Sequence, residues 1–227
     1  MKTKKIILLA LIAVFASSCK GEEIRRCGLT EAEKQLIPYE LKQVVSFINS
    51  EGRDIDLTVI SSETKWDKEK EDGISDDYVS FEIKSVILKS DPNNLKIELR
   101  IANSDCLYGE NNSLLWITIN DNWSVFLNSD TEGNFLIDNF VSFHKSIEIN
   151  NKVYYDVAEK KYNWTTFDGV NGQYQFFYNK TYGILQVNRD GKNFLTLNPK
   201  TDEDKENKSL DVIDCLDFPL ADSADSD

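Results

Sequence analysis

The sequence contains one histidine, His144, and that single residue bounds its acid–base chemistry. A Ser-His-Asp or Cys-His relay needs an imidazole as base, so His144 is the only residue that could serve. It stands in Phe143-His144-Lys145, where alternation places it on the exposed side of a strand. One histidine is too few for a metal site built on imidazoles, and the cysteines show neither CxxC nor zinc spacing. No G-x-S-x-G elbow, H-E-x-x-H helix or phosphate-binding glycine loop occurs. Carboxylates are abundant. A glycosidase pair is defined by a separation in space of ~5 or ~7–9 Å, which sequence leaves open. Glu71-Asp72 and Asp76-Asp77 flank Gly73 and read as a solvated loop. Asn128 to Asn134 imitates the first half of a calcium loop, but its twelfth position would be Asn139 where a bidentate Glu is required. A hairpin turn with Gly133 at the left-handed position accounts for it better. Trp116, Trp123, Trp164, Tyr154, Tyr155 and Tyr162 could form a stacking face, although cross-strand aromatics more often build a core. No residue is singled out as catalytic, cofactor-binding or metal-ligating.

The compartment is written at the start of the chain. Met1-Lys2-Thr3-Lys4-Lys5 is basic, and the eleven residues Ile6 to Ala16 are apolar. As a helix that run spans only ~17 Å, against a hydrocarbon core of ~30 Å. It reads as a secretory signal, not as a membrane span. Ala16-Ser17-Ser18-Cys19 resembles a lipobox, at which bacteria acylate the cysteine and cleave before it. Its −3 position is Ala16 where Leu is commonest. Residues 1–18 are then the signal peptide and 19–28 a tether. Cys19 is the lipidation site, carrying palmitate-type acyl chains that hold the membrane by ~0.8 kcal/mol per buried methylene. Lys20-Gly21-Glu22-Glu23 is similar to the short acidic signal of surface-exposed lipoproteins of the Bacteroidota. That resemblance implies the outer membrane, with the domain facing the cell surface.

Charge and cysteines narrow the partners. The chain of 227 residues has 26 basic and 39 acidic side chains, net −13. Removing residues 1–18 removes three lysines and takes the net charge to −16. Such a surface does not release counterions from phosphates, so no nucleic-acid partner is expected. The membrane is reached through Cys19, and any glycan or protein partner is unidentified. With Cys19 acylated, Cys27, Cys106 and Cys215 remain for the oxidising compartment. Three cysteines cannot all pair within one chain. Loop closure slightly favours Cys27–Cys106 over Cys27–Cys215, by ~0.8 kcal/mol.

These residues must be positioned by strands. Thr30-Glu31-Ala32-Glu33 has the form of a capping box, and Pro38 ends any helix there. Beyond it the period is two: Val45 and Phe47; Ile55, Leu57 and Val59; Val79, Phe81 and Ile83; Leu95, Ile97, Leu99 and Ile101. Leu115 to Ile119, Trp123 to Leu127, Ile147 and Ile149, Val153 and Tyr155, Tyr174 to Tyr178, Tyr182 to Gln186 and Phe194 to Leu197 continue it. Turn residues separate them, as in Asn49-Ser50-Glu51-Gly52-Arg53 and Asn150-Asn151. The reading is all-β: an antiparallel meander of about ten strands, as a barrel, half-barrel or sandwich, with a short N-terminal helix. Residues 29–200 form the single β domain, and 201–227 an acidic, partly disordered tail. In that tail Asp222-Ser223-Ala224 resembles an O-glycosylation site of exported Bacteroidota proteins, with Ser223 as acceptor.

Three stretches carry a wider resemblance. They are Ile37-Pro38-Tyr39 with Val44-Val45-Ser46-Phe47-Ile48-Asn49 and Gly52; Ser146-Ile147-Glu148-Ile149 with Lys152 to Val157; and Phe177 to Leu185. Together they are similar to a large group of uncharacterised Bacteroidota lipoproteins, over most of residues 36–197. The resemblance implies no activity and no site residue. Gly183 within a strand reads as a bulge or a close backbone approach.

The expectation for function is a membrane-anchored cell-envelope lipoprotein, a non-catalytic binding or structural module. The alternatives are a glycan-active hydrolase with paired carboxylates, or a carrier of an apolar ligand in a barrel cavity. The anchor is testable alone. Metabolic labelling with an alkyne fatty acid should mark the wild type and not Cys19→Ser; equal label in both would remove the lipid from the account.

Overall fold

The computed structural model describes residues 21–70, 77–103, 112–120, 123–136, 141–165 and 171–198. Cys19, Cys106, Cys215, Ser223, Glu71-Asp72 and Asp76 lie outside them. Twelve strands and one helical turn follow in order: β1 (Glu23–Cys27), α1 (Glu31–Lys34), β2 (Val44–Asn49), β3 (Asp54–Lys70), β4 (Tyr78–Ser90), β5 (Leu95–Asn103), β6 (Asn112–Ile119), β7 (Trp123–Asp130), β8 (Val141–Ile149), β9 (Lys152–Thr165), β10 (Asn171–Asn179), β11 (Gly183–Arg189) and β12 (Lys192–Leu197). The all-β antiparallel expectation holds, and the sheet is a nearly closed barrel of eleven strands.

Two meanders build it. β2 to β7 pair in sequence, as do β8 to β12, and β12 pairs with β2 to join the halves. One seam remains, between β7 and β8. Apolar residues at every second position face inward: Ile55, Leu57 and Val59, then Leu95, Ile97, Leu99 and Ile101, then Leu115, Ile117 and Ile119 are all buried. Among the described residues they join Phe47, Phe176 and Tyr178 in one contiguous core.

Turn chemistry acts as the sequence implies. Asn49 Oδ1 accepts from the amides of Glu51 and Arg53, and Gly52 takes a φ of +74°. Thr30 Oγ1 accepts from Glu33 N at 3.1 Å, and Thr30 N donates to Glu33 Oε2 at 2.6 Å, which completes the capping box.

Two features depart from the sequence reading. The stretch read as a tether contains β1, which runs parallel to β4. The polar run Ser61 to Lys70 continues β3, although most of it is exposed and it shows no apolar period. Pairing with β4 from Ser61↔Ile87 to Lys70↔Tyr78 supplies its hydrogen bonds. Cation–π contacts brace this arm: Arg26 lies 4.2 Å from the Trp66 ring centre, and Lys68 4.1 Å from that of Tyr78.

On the arm β4 buries its other face. Val79, Phe81 and Ile83 join Ala102 in a second apolar cluster, with Cys27 and Trp116 packed against it.

β1 and β5 lie end to end along one edge of β4. Cys27 pairs opposite Phe81, and Ala102 opposite Ile83. Cys27 is disulfide-bonded, and its partner is outside the described residues. Cys106 follows the end of β5 by three positions, so the topology favours it over Cys215. Peptide mapping without reductant should recover Cys27 linked to Cys106. A Cys27–Cys215 peptide would show instead that the tail is stapled to β1.

Candidate binding groove

Residues 28–40 plug one end of the barrel, and the plug is bonded to the strand ends and turns beside the candidate site. Leu36, Ile37 and Tyr39 are buried. The one-turn helix leaves carbonyls unsatisfied at its end. Lys84 Nζ donates to two of them, Lys34 O at 2.6 Å and Ile37 O at 2.9 Å. Tyr178 Oη donates to a third, Leu36 O, at 2.5 Å. Burial lowers the Lys84 ammonium from its ordinary value; Glu31 opposes that shift and Lys34 adds to it. Glu33 is buried, and its Oε1 accepts from Ser113 Oγ on β6.

Tyr39 makes the decisive contact. Its Oη accepts from Ile184 N at 2.7 Å. Gly183 has a φ of +79°, and a Cβ there would stand 2.2 Å from Tyr39 Oη. Only glycine satisfies both the dihedral and the space. Burial pushes the Tyr39 and Tyr178 phenols far above their ordinary value, so both stay neutral hydrogen-bonding groups.

Near the plug, on the far side of the β10–β11 turn, lies a groove of about 730 Å³ whose Lys180 and Thr181 also line a crevice along the plug. It is lined by Asn134 and Phe135 after β7, Phe143 on β8, Lys152 to Asp156 on β9, and Asn179 to Tyr182 in the β10–β11 turn. The groove therefore borders the seam between β7 and β8, with most of its lining from β9 and the β10–β11 turn. Asn179 fixes its turn: Oδ1 accepts from Thr181 N and Tyr182 N, while Nδ2 donates to Tyr155 O. Tyr154 and Tyr182 meet edge to face with centroids 5.4 Å apart. Lys152 Nζ lies 5.8 and 5.3 Å from those two ring centres.

Asp156 is the irregular member. Its φ is +54° inside a continuous strand pair, a conformation that costs a non-glycine residue of order 1–3 kcal/mol. Beyond it, the β8–β9 tip turns back: Ile149 and Asn150 share a crevice of about 190 Å³ with Ile48, Gln186, Asn193 and Thr196.

The other sequence candidates fall elsewhere. His144 is on β8, half-buried. Its Nε2 is 2.7 Å from Glu159 Oε2, and its ring tilts against Phe177. No Ser, Thr or Cys is hydrogen-bonded to it among the described residues, so a relay lacks its nucleophile there. Asp130 closes its own turn, accepting from Glu132 N and Asn134 N. Gly133 takes a φ of +72°, so Asn128 to Asn134 is the expected hairpin turn. Burial tends to raise the Asp130 carboxyl, but the hydrogen bonds from Asn134 and Glu132 and the Lys180 charge outweigh it and hold it low. Of the aromatics, Tyr154 is core and Tyr155 is 66% exposed. Trp116 packs edge-on to Phe126, and Tyr162 is exposed on β9. No group of three or more His, Cys, Asp or Glu is placed to hold a metal among the described residues. Phe143, Lys152, Asp156 and Thr181 were missed as lining residues. The positive φ of Asp156 carries only a generic sequence signal: Asp is depleted in strands and enriched among non-glycine residues at positive φ, but the same holds for every other Asp of the chain.

No protein-family model matches the chain, and no curated protein or solved structure matches it.

Glu159 anchors a polar row across β8 to β11. It accepts from Gln175 Nε2 at 2.7 Å and pairs with Lys161 Nζ at 3.0 Å. Asn188 and Gln186 extend the row. Burial raises its carboxyl, but hydrogen bonds from Gln175, His144 and Lys161 win and depress it. A depressed carboxyl stabilises above its unfolded value and loses that contribution as pH falls through its folded value. Glu159→Gln should cost about 1–3 kcal/mol at neutral pH. In urea titrations the gap between the two proteins should hold from pH 7 to 5 and shrink below about pH 4.3. A gap that is flat down to pH 3 would contradict the sign.

Proposed function

We propose that this chain is a membrane-anchored cell-envelope lipoprotein whose β domain is a non-catalytic binding module, with the seam groove as its binding site. The observation that carries the reading is the groove itself. A concave, mixed aromatic and polar surface is held on rigid elements by the plug and the Asn179 turn, which is the usual build of a small-molecule site. The lipid on Cys19 and the short acidic stretch after it support display at the outer membrane, on the cell-surface side. The domain's strong negative charge gives it no electrostatic hold on an anionic bilayer, so the acyl chains would be the sole attachment.

The rival readings find less support. Two-carboxylate hydrolysis needs a facing pair, and Asp156 is the single carboxylate among the described lining residues. Glu159 is committed to His144, Gln175 and Lys161. A carrier would need an apolar chamber, whereas the inward residues described here pack into one contiguous core.

The test is a thermal-shift screen of small molecules against the soluble domain, repeated with Phe143→Ala and Tyr182→Ala. A ligand at 100 times its Kd stabilises by about 2.7 kcal/mol. Hits on the wild type should be lost in both variants. Hits that survive both substitutions, or an empty screen, would overturn the groove as the binding site.

A further inference from the structure

We propose that the groove binds a short neutral saccharide, with Asp156 as the acceptor of its hydroxyls. The inference rests on the binding-module reading above and names the ligand class of that same site.

Most polar groups in the groove are already committed. Asn179 is saturated by its own turn and Tyr155 O. Asn134 donates to Asp130 Oδ2 and accepts from Lys180 Nζ. Asp156 differs. It lines the groove, is exposed, and makes no side-chain hydrogen bond or ion pair among the described residues. The chain nevertheless holds it at a φ of +54°, where glycine would be unstrained. An unpartnered carboxylate kept at a strained position in a concave site is a reason to look for a ligand there.

The surroundings select the class. Phe143 is 41% exposed on one wall, and Tyr182 is fixed by Tyr154 on another. Aromatic walls suit a ligand with C–H faces. Lys152 and Lys180 supply donors beside the carboxylate acceptor. A sugar ring offers an apolar C–H face together with hydroxyls that both donate and accept, and so fits this set. A purely apolar ligand would leave the Asp156 carboxylate desolvated without a partner, and an acidic group seated against Asp156 itself would meet a like charge, so the hydroxyls of a neutral sugar suit that position.

Isothermal titration of the soluble domain with maltotriose, xylotriose, mannotriose and trigalacturonate tests the proposal. Asp156→Gly removes the carboxylate while relieving the backbone, so the variant folds. It should bind the preferred neutral trisaccharide at least tenfold more weakly, with unchanged or higher Tm. Phe143→Ala should weaken binding similarly. Unchanged saccharide binding in both variants would overturn the site. Binding of trigalacturonate alone, or of non-saccharide screen compounds alone in a groove-dependent way, would overturn the neutral-sugar class and leave the groove reading standing. No groove-dependent binding of any compound would overturn both.

Discussion

The close approach of Tyr39 to Gly183 is the constraint on which the rest of the structure depends. A phenol replaces the side chain that position 183 lacks, and its oxygen satisfies the buried amide of Ile184. The contact pins the plug to the start of β11. Tyr178 and Lys84 then take up the carbonyls where the plug's helix ends. An unmade hydrogen bond at such buried groups costs about 1–3 kcal/mol each, so these bonds select one position for the plug. Three sequence stretches meet here. Ile37-Pro38-Tyr39 supplies the phenol, Phe177 to Leu185 supplies the glycine and the Asn179 turn, and Ser146 to Val157 lies across that turn through Tyr155 O and Tyr154. Together these residues form a structural lock.

The groove follows from how the barrel closes. β12 pairs with β2 and removes one pair of edges, which leaves β7 and β8 as the last two. Unpaired edges invite association, and short or irregular strands blunt them. The residues after β7 double back at the Asp130 turn and pair along its end, Phe135 opposite Ser129 and Leu136 N donating to Asn128 O, with Phe135 packed edge-on to Tyr178. On the other side β9 carries its irregularity at Asp156. A concave groove thus borders the seam, lined by Asn134 and Phe135 after β7 and by Phe143 and Lys152 to Asp156 on β8 and β9, with Asn179 to Tyr182 beside them.

β1, which follows Cys19 by a few residues, pairs along β4 on the β3–β4 arm. There Arg26 and Trp66 stack, and Cys27 joins the second apolar cluster. A pull on the N-terminal end of β1 therefore loads the arm before it reaches the plug.

The sequence by itself determined the strand class and most of the turns. Period two reports burial on one face of a strand, as in Leu95 to Ile101. Asn49 to Arg53 and Thr30 to Glu33 were legible because their bonds close within a few residues. The second half of β3 was not, since Ser61 to Lys70 buries little and owes its extended form to β4. The site was legible least of all. Phe143, Asp156 and Thr181 come from separate elements and carry no motif. Their convergence depends on β12 finding β2 and on Tyr39 finding Gly183, contacts that span over 140 residues. Local chemistry sets which residues turn or alternate; only long-range packing decides which edges stay open and what lines them.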